Sequence, residues 1–273
     1  MTIPENKCHK LELYVSENYR VFVPLVRRPW LDDLVPGWRT SLWPRPTNVP
    51  APKILVIDVD IQKFIDKLKT KLEKVFTIDG TQTIEGFAAR IILKKDAVPV
   101  FHKAYPVPFA LRAMLEEKNA TVGKEEKIYQ VYQSDWASPI VNVKKQDSTY
   151  RTCVNFERTV NPQIDLEVYP LPIPEEAFTY LADGRVFASL DLADAYTQLK
   201  ICKGSAPLLT MNTHKGLFRY TRLIYGISSV AAIFQCTMDK ILSGNPNVIC
   251  YIDDFLCIGK DFMSCKETLV LHR

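Results

Sequence analysis

Two short apolar runs, residues 248–252 and 255–258, are separated only by Asp253 and Asp254. Apolar runs this close together predict two antiparallel strands joined by a two-residue turn, which is a β-hairpin. Such turns favour Asn-Gly or Asp-Gly because their residues adopt positive φ, so two aspartates break the local rule. Because local rules fail most often at functional sites, the hairpin tip is the first candidate site.

The two adjacent carboxylates of the predicted turn need a cationic partner. Unit charges about 4 Å apart repel by roughly 4 kcal/mol at an effective dielectric of about 20, and apolar flanks make the surroundings drier. No lysine lies in the hairpin before Lys260, so a divalent ion is the more economical counter-charge. Mg²⁺ prefers oxygen ligands and completes its shell with water and phosphate oxygens. The alternative is an ordinary surface turn, which an Asp-Asp pair alone does not exclude.

A third aspartate is placed to join this pair. Residues 186–192 alternate as a half-buried strand, and Asp191 lies near the end of that run. Three carboxylates from two separate strands form a cradle for two metal ions, as in-line phosphoryl transfer requires. We therefore expect Asp191, Asp253 and Asp254 to meet at one edge of a sheet.

Composition limits the classes of protein to which the chain can belong. Its 273 residues are 47% hydrophobic and 24% charged with a net charge of +4, which predicts a globular protein and excludes disordered and collagen-like classes. No apolar run approaches the ~18 residues that span a bilayer, and the amino terminus lacks the apolar core of a signal peptide. We therefore expect an intracellular protein, cytoplasmic or nuclear, that is not secreted and has no membrane partner. Seven scattered cysteines predict small buried side chains, not a zinc site.

Proline and hydrophobic periodicity divide the chain. Eight of the 18 prolines lie in the first 52 residues, and the cluster at 44–52 predicts a linker. Residues 61–76 carry apolar side chains at three- and four-residue steps, which predicts an amphipathic helix capped by Asp58 or Asp60. The other predicted elements are strands at 86–93 and 140–145, a short helix at 109–118, and a helix at 229–242 that begins at a serine and ends before Gly244.

Five motifs carry more information than any single residue. They are Ser134-Asp-Trp-Ala-Ser-Pro-Ile-Val-Asn-Val-Lys-Lys145, Ser189-Leu-Asp-Leu-Ala-Asp-Ala-Tyr-Thr-Gln198, Asn212-Thr-His-Lys-Gly-Leu-Phe-Arg-Tyr-Thr-Arg-Leu223, Phe234-Gln235 and Tyr251-Ile-Asp-Asp254. In order and spacing they resemble the reverse transcriptases of gypsy-like LTR retrotransposons, over roughly residues 80–273. Residues 8–43 are more loosely similar to the tail of the retropepsin that precedes reverse transcriptase in such polyproteins. No Asp-Ser/Thr-Gly motif occurs, so protease activity is not expected.

The resemblance implies an α+β fold, namely the fingers and palm of a right-hand polymerase with an antiparallel palm sheet. It also implies an RNA-directed DNA polymerase that uses two Mg²⁺ ions, for which Mn²⁺ substitutes. Its expected partners are an RNA or DNA template-primer and a deoxynucleoside triphosphate. By resemblance, Asp191, Asp253 and Asp254 are the catalytic metal ligands, and local chemistry had selected the same three residues.

The resemblance assigns nucleotide-binding roles to the segment after Asp191. Tyr196 matches the aromatic residue that abuts the sugar of the incoming nucleotide and excludes a 2′-hydroxyl. The alternative for Tyr196 is a tyrosine of the hydrophobic core. Asp194 and Ala195 match the backbone that contacts the triphosphate, and Asp194 need not be a metal ligand.

Further nucleotide-binding positions are implied outside that segment. Lys145 and Arg151 match basic fingers residues that grip phosphates through charge-assisted contacts, although alone they would be read as solvated surface charges. Tyr225 and Gly226 match an aromatic-glycine pair beside the templating base. Gln235 matches a glutamine on the following helix.

The chain departs from the family pattern in ways that bear on activity. Ser148 stands where the fingers turn has glycine, and Asn155 and Glu157 replace an acid and a base. Only 19 residues follow Asp254, since 273 − 254 = 19, so we expect the thumb and ribonuclease H to be absent. The expected domains are a retropepsin tail remnant at 1–45, a linker and helix at 46–80, fingers at 81–185 and a truncated palm at 186–273.

Two alternatives to a working polymerase stay open. One is a catalytically inactive retrotransposon remnant that binds nucleic acid. The other is an interaction module that dimerises through an amino-terminal strand. The sequence also leaves open a dimer and a place within a longer polyprotein.

Overall fold

A computed structural model describes residues 8–15, 59–73, 81, 83–144, 150–165, 169–173, 184–251 and 254–271. The strands are β1 (Cys8–Val15), β2 (Ala88–Ala89), β3 (Ile128–Val131), β4 (Ser138–Lys144), β5 (Tyr150–Val154), β6 (Val186–Leu192), β7 (Lys200–Ile201), β8 (Thr210–Thr213), β9 (Gly216–Tyr220), β10 (Val248–Tyr251) and β11 (Asp254–Gly259). The helices are α1 (Val59–Lys71), α2 (Phe109–Lys124), α3 (Val230–Leu242) and α4 (Phe262–Leu271). Short 3₁₀ helices cover Asn161–Gln163, Ala195–Gln198 and Ala206–Leu209. The predicted linker at 44–52 and the turn around Ser148 lie outside the described residues.

A four-stranded antiparallel sheet carries the segment that the sequence singled out. Its order is β1-β6-β11-β10, so the predicted hairpin forms with β10 and β11 as neighbours. The predicted strand at 186–192 is confirmed as β6 and lies inside this sheet. Strand β1 belongs to the segment that was compared with a retropepsin tail, yet it pairs with β6 along its length.

Helices share a hydrophobic core with one face of this sheet. Val186, Ala188 and Leu192 of β6 are buried in that core, as the alternation of the strand predicts. The helix residues that join them are Ile65 and Leu68 of α1, Phe234, Met238, Ile241 and Leu242 of α3, and Cys265 and Leu269 of α4. This face therefore holds the fold together, and the opposite face of the sheet is left for other roles.

Helix α3 confirms the prediction made from its periodicity. Its buried residues recur at steps of three and four, which places them on one stripe. Ser229 occupies the N-cap position, but its hydroxyl makes no capping hydrogen bond. Gly244 lies just beyond the helix with a φ of +89°, a conformation that glycine adopts without strain.

A second sheet of five strands has the order β3-β9-β8-β4-β5. Its neighbours are antiparallel except β4 and β8, which pair in parallel at Ser138 and Pro139. Helix α2 packs on it through Leu115, which is buried with Ile128 and Met211. The prediction for this helix, 109–118, was too short, since α2 continues to Lys124. Asn, Thr and Gly in its second half weaken helix propensity, but packing of Val122 on the same cluster outweighs it.

Two further sequence predictions need correction. A strand was expected at 86–93, but only Ala88–Ala89 pairs, in parallel with β7, while Leu93 forms a single bridge. Between Ala89 and Leu93, the backbone amide and carbonyl of Ile91 form hydrogen bonds with the Ser205 hydroxyl. This side chain therefore takes the place of a neighbouring strand as their hydrogen-bond partner. Helix α1 begins at Val59, so Asp60 lies within it and is not its N-cap, and Asp58 is outside the described residues.

The cysteines partly follow the prediction. None of the six that the structure describes in full is in a disulfide; Cys250, Cys257 and Cys265 are buried and the others half-buried. Within the described ranges, no helix combines the length and apolarity needed to cross a membrane.

Candidate active site

Asp191 and Asp254 occupy directly opposite positions on the adjacent strands β6 and β11. Residues opposite each other in an antiparallel pair project from the same face, with Cβ atoms about 4.5–5.5 Å apart. Both aspartates are half-buried. The sheet thus brings together two of the three carboxylates that the sequence selected, from positions 63 residues apart in the chain, since 254 − 191 = 63.

The β10–β11 ladder extends further than predicted. Tyr251 pairs with Asp254 as its last pair, so Asp254 begins a strand and is not in the turn, where the prediction placed it. The predicted strand began at the first apolar residue, Phe255, so the polar residue Asp254 was left out of it. In the structure Asp254 belongs to the strand and shares a face of the sheet with Asp191. Asp253 lies outside the described residues, so its place in the metal site stays a prediction.

The two aspartates are on the face of the sheet that points away from the helices. On β11, Phe255 and Cys257 enter the helical core, whereas Leu256 and Ile258 form a separate cluster with Phe187 of β6. Asp254 follows the second set by alternation, as Asp191 does on its own strand. We call this surface of the four-stranded sheet, which carries Asp191 and Asp254, the carboxylate face.

The donor chemistry of the carboxylate face suits a hard divalent cation. Mg²⁺ is commonly held in proteins by one or two carboxylates together with water and substrate phosphates, so this pair supplies enough protein ligands. Within the described ranges, no three His, Cys, Asp or Glu residues are grouped so that they could hold a metal ion. The third predicted ligand, Asp253, is outside these ranges.

The predicted sugar-contacting residue Tyr196 is buried, in a 3₁₀ helix that follows β6. Its ring lies 4.6 Å from the ring of Tyr225 and 5.2 Å from that of Phe234, centroid to centroid. The structure therefore joins two predicted nucleotide-binding residues, Tyr196 and Tyr225, in one aromatic cluster. Tyr225 is exposed and Tyr196 lies beneath it, an arrangement that also agrees with the alternative of a core tyrosine.

The backbone bends sharply between Asp191 and Tyr196. Asp194 has a φ of +49°, in the left-handed region that non-glycine residues rarely adopt. Its carbonyl accepts hydrogen bonds from the Thr197 amide at 2.8 Å and the Thr197 hydroxyl at 3.0 Å. Its exposed carboxylate lies 3.4 Å from Nζ of Lys127, which also contacts Glu125 at 2.8 Å. Backbone strain of this kind clusters at functional sites, and Ala195 follows directly.

Asn161 is a positioning residue that the sequence analysis missed. Its Nδ2 donates to the Gly226 carbonyl at 2.8 Å, and its Oδ1 accepts from the Ser228 amide at 3.0 Å. Gly226 itself has a φ of +99°, so this turn needs glycine. The sequence carries no signal for the contact because 65 residues separate Asn161 from Gly226.

Gln235 connects helix α3 to the aspartate hairpin. Its buried Nε2 donates to the Cys250 carbonyl at 2.9 Å and to Oδ1 of Asp239 at 2.8 Å. The Tyr169 hydroxyl donates to Oδ2 of the same Asp239 at 2.6 Å, and this hydrogen bond raises the pKa of Tyr169 to about 12. The structure thus shows Gln235 supporting β10 from the helical side, and its contact with a nucleotide stays a prediction.

The predicted phosphate-binding residues are not on the four-stranded sheet. Arg151 lies on β5 of the five-stranded sheet, opposite Val143 of β4. Lys145 is outside the described residues. Their predicted contacts with phosphates are therefore untested.

Several known proteins are similar to this chain in sequence or in fold. Residues 127–270 match the family described as "Reverse transcriptase (RNA-dependent DNA polymerase)". Uncharacterized protein K02A2.6 of Caenorhabditis elegans is 34% identical over 191 residues, which is 69% of this chain and 15% of that protein. Transposon Tf2-3 polyprotein of Schizosaccharomyces pombe is 29% identical over 180 residues, 65% of this chain and 13% of the polyprotein.

Solved structures agree with the fold. A foamy viral protease-reverse transcriptase in complex with double-stranded DNA has a TM-score of 0.60 at 19% identity, over 83% of this chain and 43% of that chain. Prototype foamy virus protease-reverse transcriptase, a selenomethionine-labelled mutant, has a TM-score of 0.58 at 21% identity, over 83% of this chain and 32% of that chain. The predicted polymerase fingers and palm fold is confirmed.

The chain spans less than a sixth of the length of the curated relatives named above. The family match nevertheless covers more than half of its residues, and it contains both Asp191 and Asp254. The chain belongs to the reverse transcriptase family, as its motifs predicted.

Proposed function

We propose that this chain is the RNA-directed DNA polymerase domain of a gypsy-like retrotransposon polyprotein. The observation that carries the proposal is the opposition of Asp191 and Asp254 across β6 and β11. Carboxylates on neighbouring strands, turned away from the core, form an acidic surface that an RNA or DNA template-primer would approach only with divalent cations. Residues 1–45 would then be a retropepsin remnant, and residues 186–273 would belong to the palm.

The proposed reaction adds one deoxynucleotide to a primer. The primer 3′-oxygen bonds to the α-phosphorus of a deoxynucleoside triphosphate, the bond from that phosphorus to its bridging oxygen breaks, pyrophosphate leaves, and the hydroxyl proton passes to solvent. Two Mg²⁺ ions, when held by Asp191, Asp253 and Asp254, would activate the attacking hydroxyl and neutralise charge on the leaving group. The aspartates act by fixing oxygen ligands on a rigid sheet.

Other residues of this chain would orient the nucleotide. Tyr196 is proposed to face the sugar, and the backbone of Asp194 and Ala195 to contact the triphosphate. The left-handed φ of Asp194 supports this role, because backbone strain is common at functional sites. Lys145 and Arg151 are proposed to grip the phosphates. Tyr225 and Gly226 would lie beside the templating base, and Gln235 would support the hairpin. Nucleoside triphosphates are intracellular, which fits the cytoplasmic or nuclear location expected from the sequence.

Primer extension tests the proposal. The chain is incubated with a DNA primer on an RNA template, deoxynucleoside triphosphates and Mg²⁺ or Mn²⁺, beside variants Asp191→Asn and Asp96→Asn. Asp96 is an exposed carboxylate remote in sequence from the site and serves as the control. We expect incorporation by the parent and by Asp96→Asn, and none by Asp191→Asn. Binding of the template-primer without incorporation by the parent would instead support the inactive remnant.

The dimerising interaction module makes a different prediction. Its amino-terminal strand would pair between two chains, whereas β1 pairs with β6 of its own chain. Sedimentation over a range of concentrations separates the two, because a monomer at all concentrations excludes the module.

A further inference from the structure

One arginine is buried next to the turn that carries Tyr196. Arg222 follows β9, is only 4% exposed, and belongs to a sequence motif that assigned it no role. Its Nη2 donates to the Thr81 carbonyl at 2.6 Å and to the Glu125 carbonyl at 3.4 Å, and its Nη1 donates to the Thr197 carbonyl at 3.4 Å. A buried guanidinium loses its water, so hydrogen bonds to protein oxygens have to replace it. This side chain therefore connects three segments that are distant in the chain.

Backbone hydrogen bonds fix the position from which this side chain extends. On one side of Arg222, the Thr221 carbonyl accepts from the Ile201 amide at 2.9 Å. On the other side, the Leu223 amide donates to the Leu199 carbonyl at 2.9 Å. The backbone around Arg222 is thus held against the segment that directly follows the turn.

The turn at residues 193–198 is held by side chains from inside and from outside. Within it, the buried Gln198 donates from Nε2 to the Ala193 carbonyl at 2.8 Å. From outside, Arg222 donates to the carbonyl of the residue that follows Tyr196. The turn contains a residue with left-handed φ, and strained backbone of this kind persists only where the surrounding structure determines it. The position of the Tyr196 ring therefore depends on contacts made outside its own segment.

The chemistry of arginine suits this position. Its planar guanidinium carries five N–H donors in fixed directions, whereas the lysine ammonium is a point charge on a flexible stem and the glutamine amide has two donors. One arginine can therefore bind several carbonyl groups at once and fix their relative positions.

We propose that Arg222 is a positioning residue, which holds the turn at 193–198 so that Tyr196 selects the deoxyribose of the incoming nucleotide. Sugar selection rests on the proposed function, whereas the positioning of the turn does not. A purely structural arginine would change the stability of the domain without changing which sugar is accepted.

Sugar selection tests the proposal. Arg222→Lys, which keeps the charge, and Arg222→Gln, which leaves no unpaired charge in the interior, are compared with the parent in the full chain. Primer extension gives the ratio of kcat/KM for a deoxynucleotide to kcat/KM for the matching ribonucleotide. We expect this ratio to fall roughly tenfold in both variants, because a displacement of about 1 Å at a positioned group costs up to ~10²-fold.

Arg219→Lys is the matched control. Arg219 is a half-buried arginine that bonds to the hydroxyls of Thr210 and Ser134 and not to the turn, so its variant should keep the parent's ratio. An unchanged ratio in the folded Arg222 variants would show that Arg222 is only structural. Loss of folding in both of them would show the same, and either result overturns the proposal.

Hydrogen exchange separates this inference from the proposed function. The Thr197 amide donates to the Asp194 carbonyl and the Leu199 amide to the Tyr196 carbonyl, so both amides report on the turn without any nucleotide. We expect their peptide to exchange roughly fivefold faster in Arg222→Gln than in the parent, while peptides of α3 exchange at the parent's rate. If the parent incorporates no nucleotide but the turn loosens in this way, the polymerase activity fails and the positioning role stands. Equal exchange of the turn in both proteins overturns the positioning role.

Discussion

Asp191 and Asp254 are cross-strand partners on β6 and β11, both half-buried and both on the face turned away from the helical core. Like charges in this position destabilise a sheet unless another charge offsets them. A divalent cation held by both carboxylates, as proposed, would remove the repulsion and would couple metal binding to the stability of the fold. This coupling can be measured without any nucleotide or template.

Replacing Asp254 by asparagine should abolish the stabilisation of the protein by metal, because it removes one of the proposed carboxylate ligands. In millimolar Mn²⁺ the parent should gain thermal stability and Asp254→Asn should not, as followed by circular dichroism. Asp96→Asn is the control and should respond to Mn²⁺ as the parent does. Equal stabilisation of parent and Asp254→Asn by Mn²⁺ would contradict the assignment of Asp254 as a ligand.

Replacing Asn161 by alanine should release the turn that carries Tyr225. Two hydrogen bonds to the backbone of Gly226 and Ser228 are lost, at an expected cost of about 1–3 kcal/mol in the free energy of unfolding. The Ser228 amide should also exchange its hydrogen faster, as measured by mass spectrometry of peptic peptides. Asn155→Ala is the matched control, because the Asn155 side chain accepts a hydrogen bond from the nearby Glu157 amide, at 3.2 Å, and not from a distant segment. Unchanged exchange at Ser228 in Asn161→Ala would show that the turn does not depend on this side chain.

Two substitutions of the left-handed residue Asp194 distinguish the effect of backbone strain on stability from the effect of its charge. Alanine tolerates positive φ poorly, so Asp194→Ala should lower the free energy of unfolding by about 1 kcal/mol. Asparagine adopts this conformation readily, and the substitution removes only an exposed charge. Asp194→Asn should therefore change the free energy of unfolding by less than about 0.5 kcal/mol. Urea unfolding of both variants measures the difference. If both variants lose the same free energy of unfolding, the loss comes from the contact with Lys127 and not from backbone strain.

The sequence predicted the elements whose side chains alternate between core and solvent. Helix α3 and strand β6 are examples, because their apolar residues recur at the periods of a helix and a strand. Strand β9 was not predicted, since all five of its residues are half-buried and show no alternation. The parallel pairing of Ser138 with Met211 joins residues far apart in the chain, which no local pattern reports.

The candidate site was predictable to a similar extent. Asp191 and Asp254 could be selected because their local chemistry is unusual and the motifs resemble a known family. Their opposition depends on the register of β6 and β11, which no local pattern in the sequence reports. Asn161 could not be selected, because only the tertiary fold brings a common polar residue to a distant backbone.

The Tyr169–Asp239 hydrogen bond should make stability depend on alkaline pH. The pKa of Tyr169 is raised from 10.0 to about 12, first by the hydrogen bond to Asp239 and then by burial. A raised folded pKa means that the contribution is fully present below about pH 10 and is lost as the pH rises toward 12. Tyr169→Phe removes the ionising group, so its urea midpoint should fall less than that of the parent between pH 10 and 12. Tyr132→Phe, which alters an exposed ring, is the control and should follow the parent. Parallel pH profiles for the parent and Tyr169→Phe would show that the hydroxyl of Tyr169 does not hold Asp239 in solution.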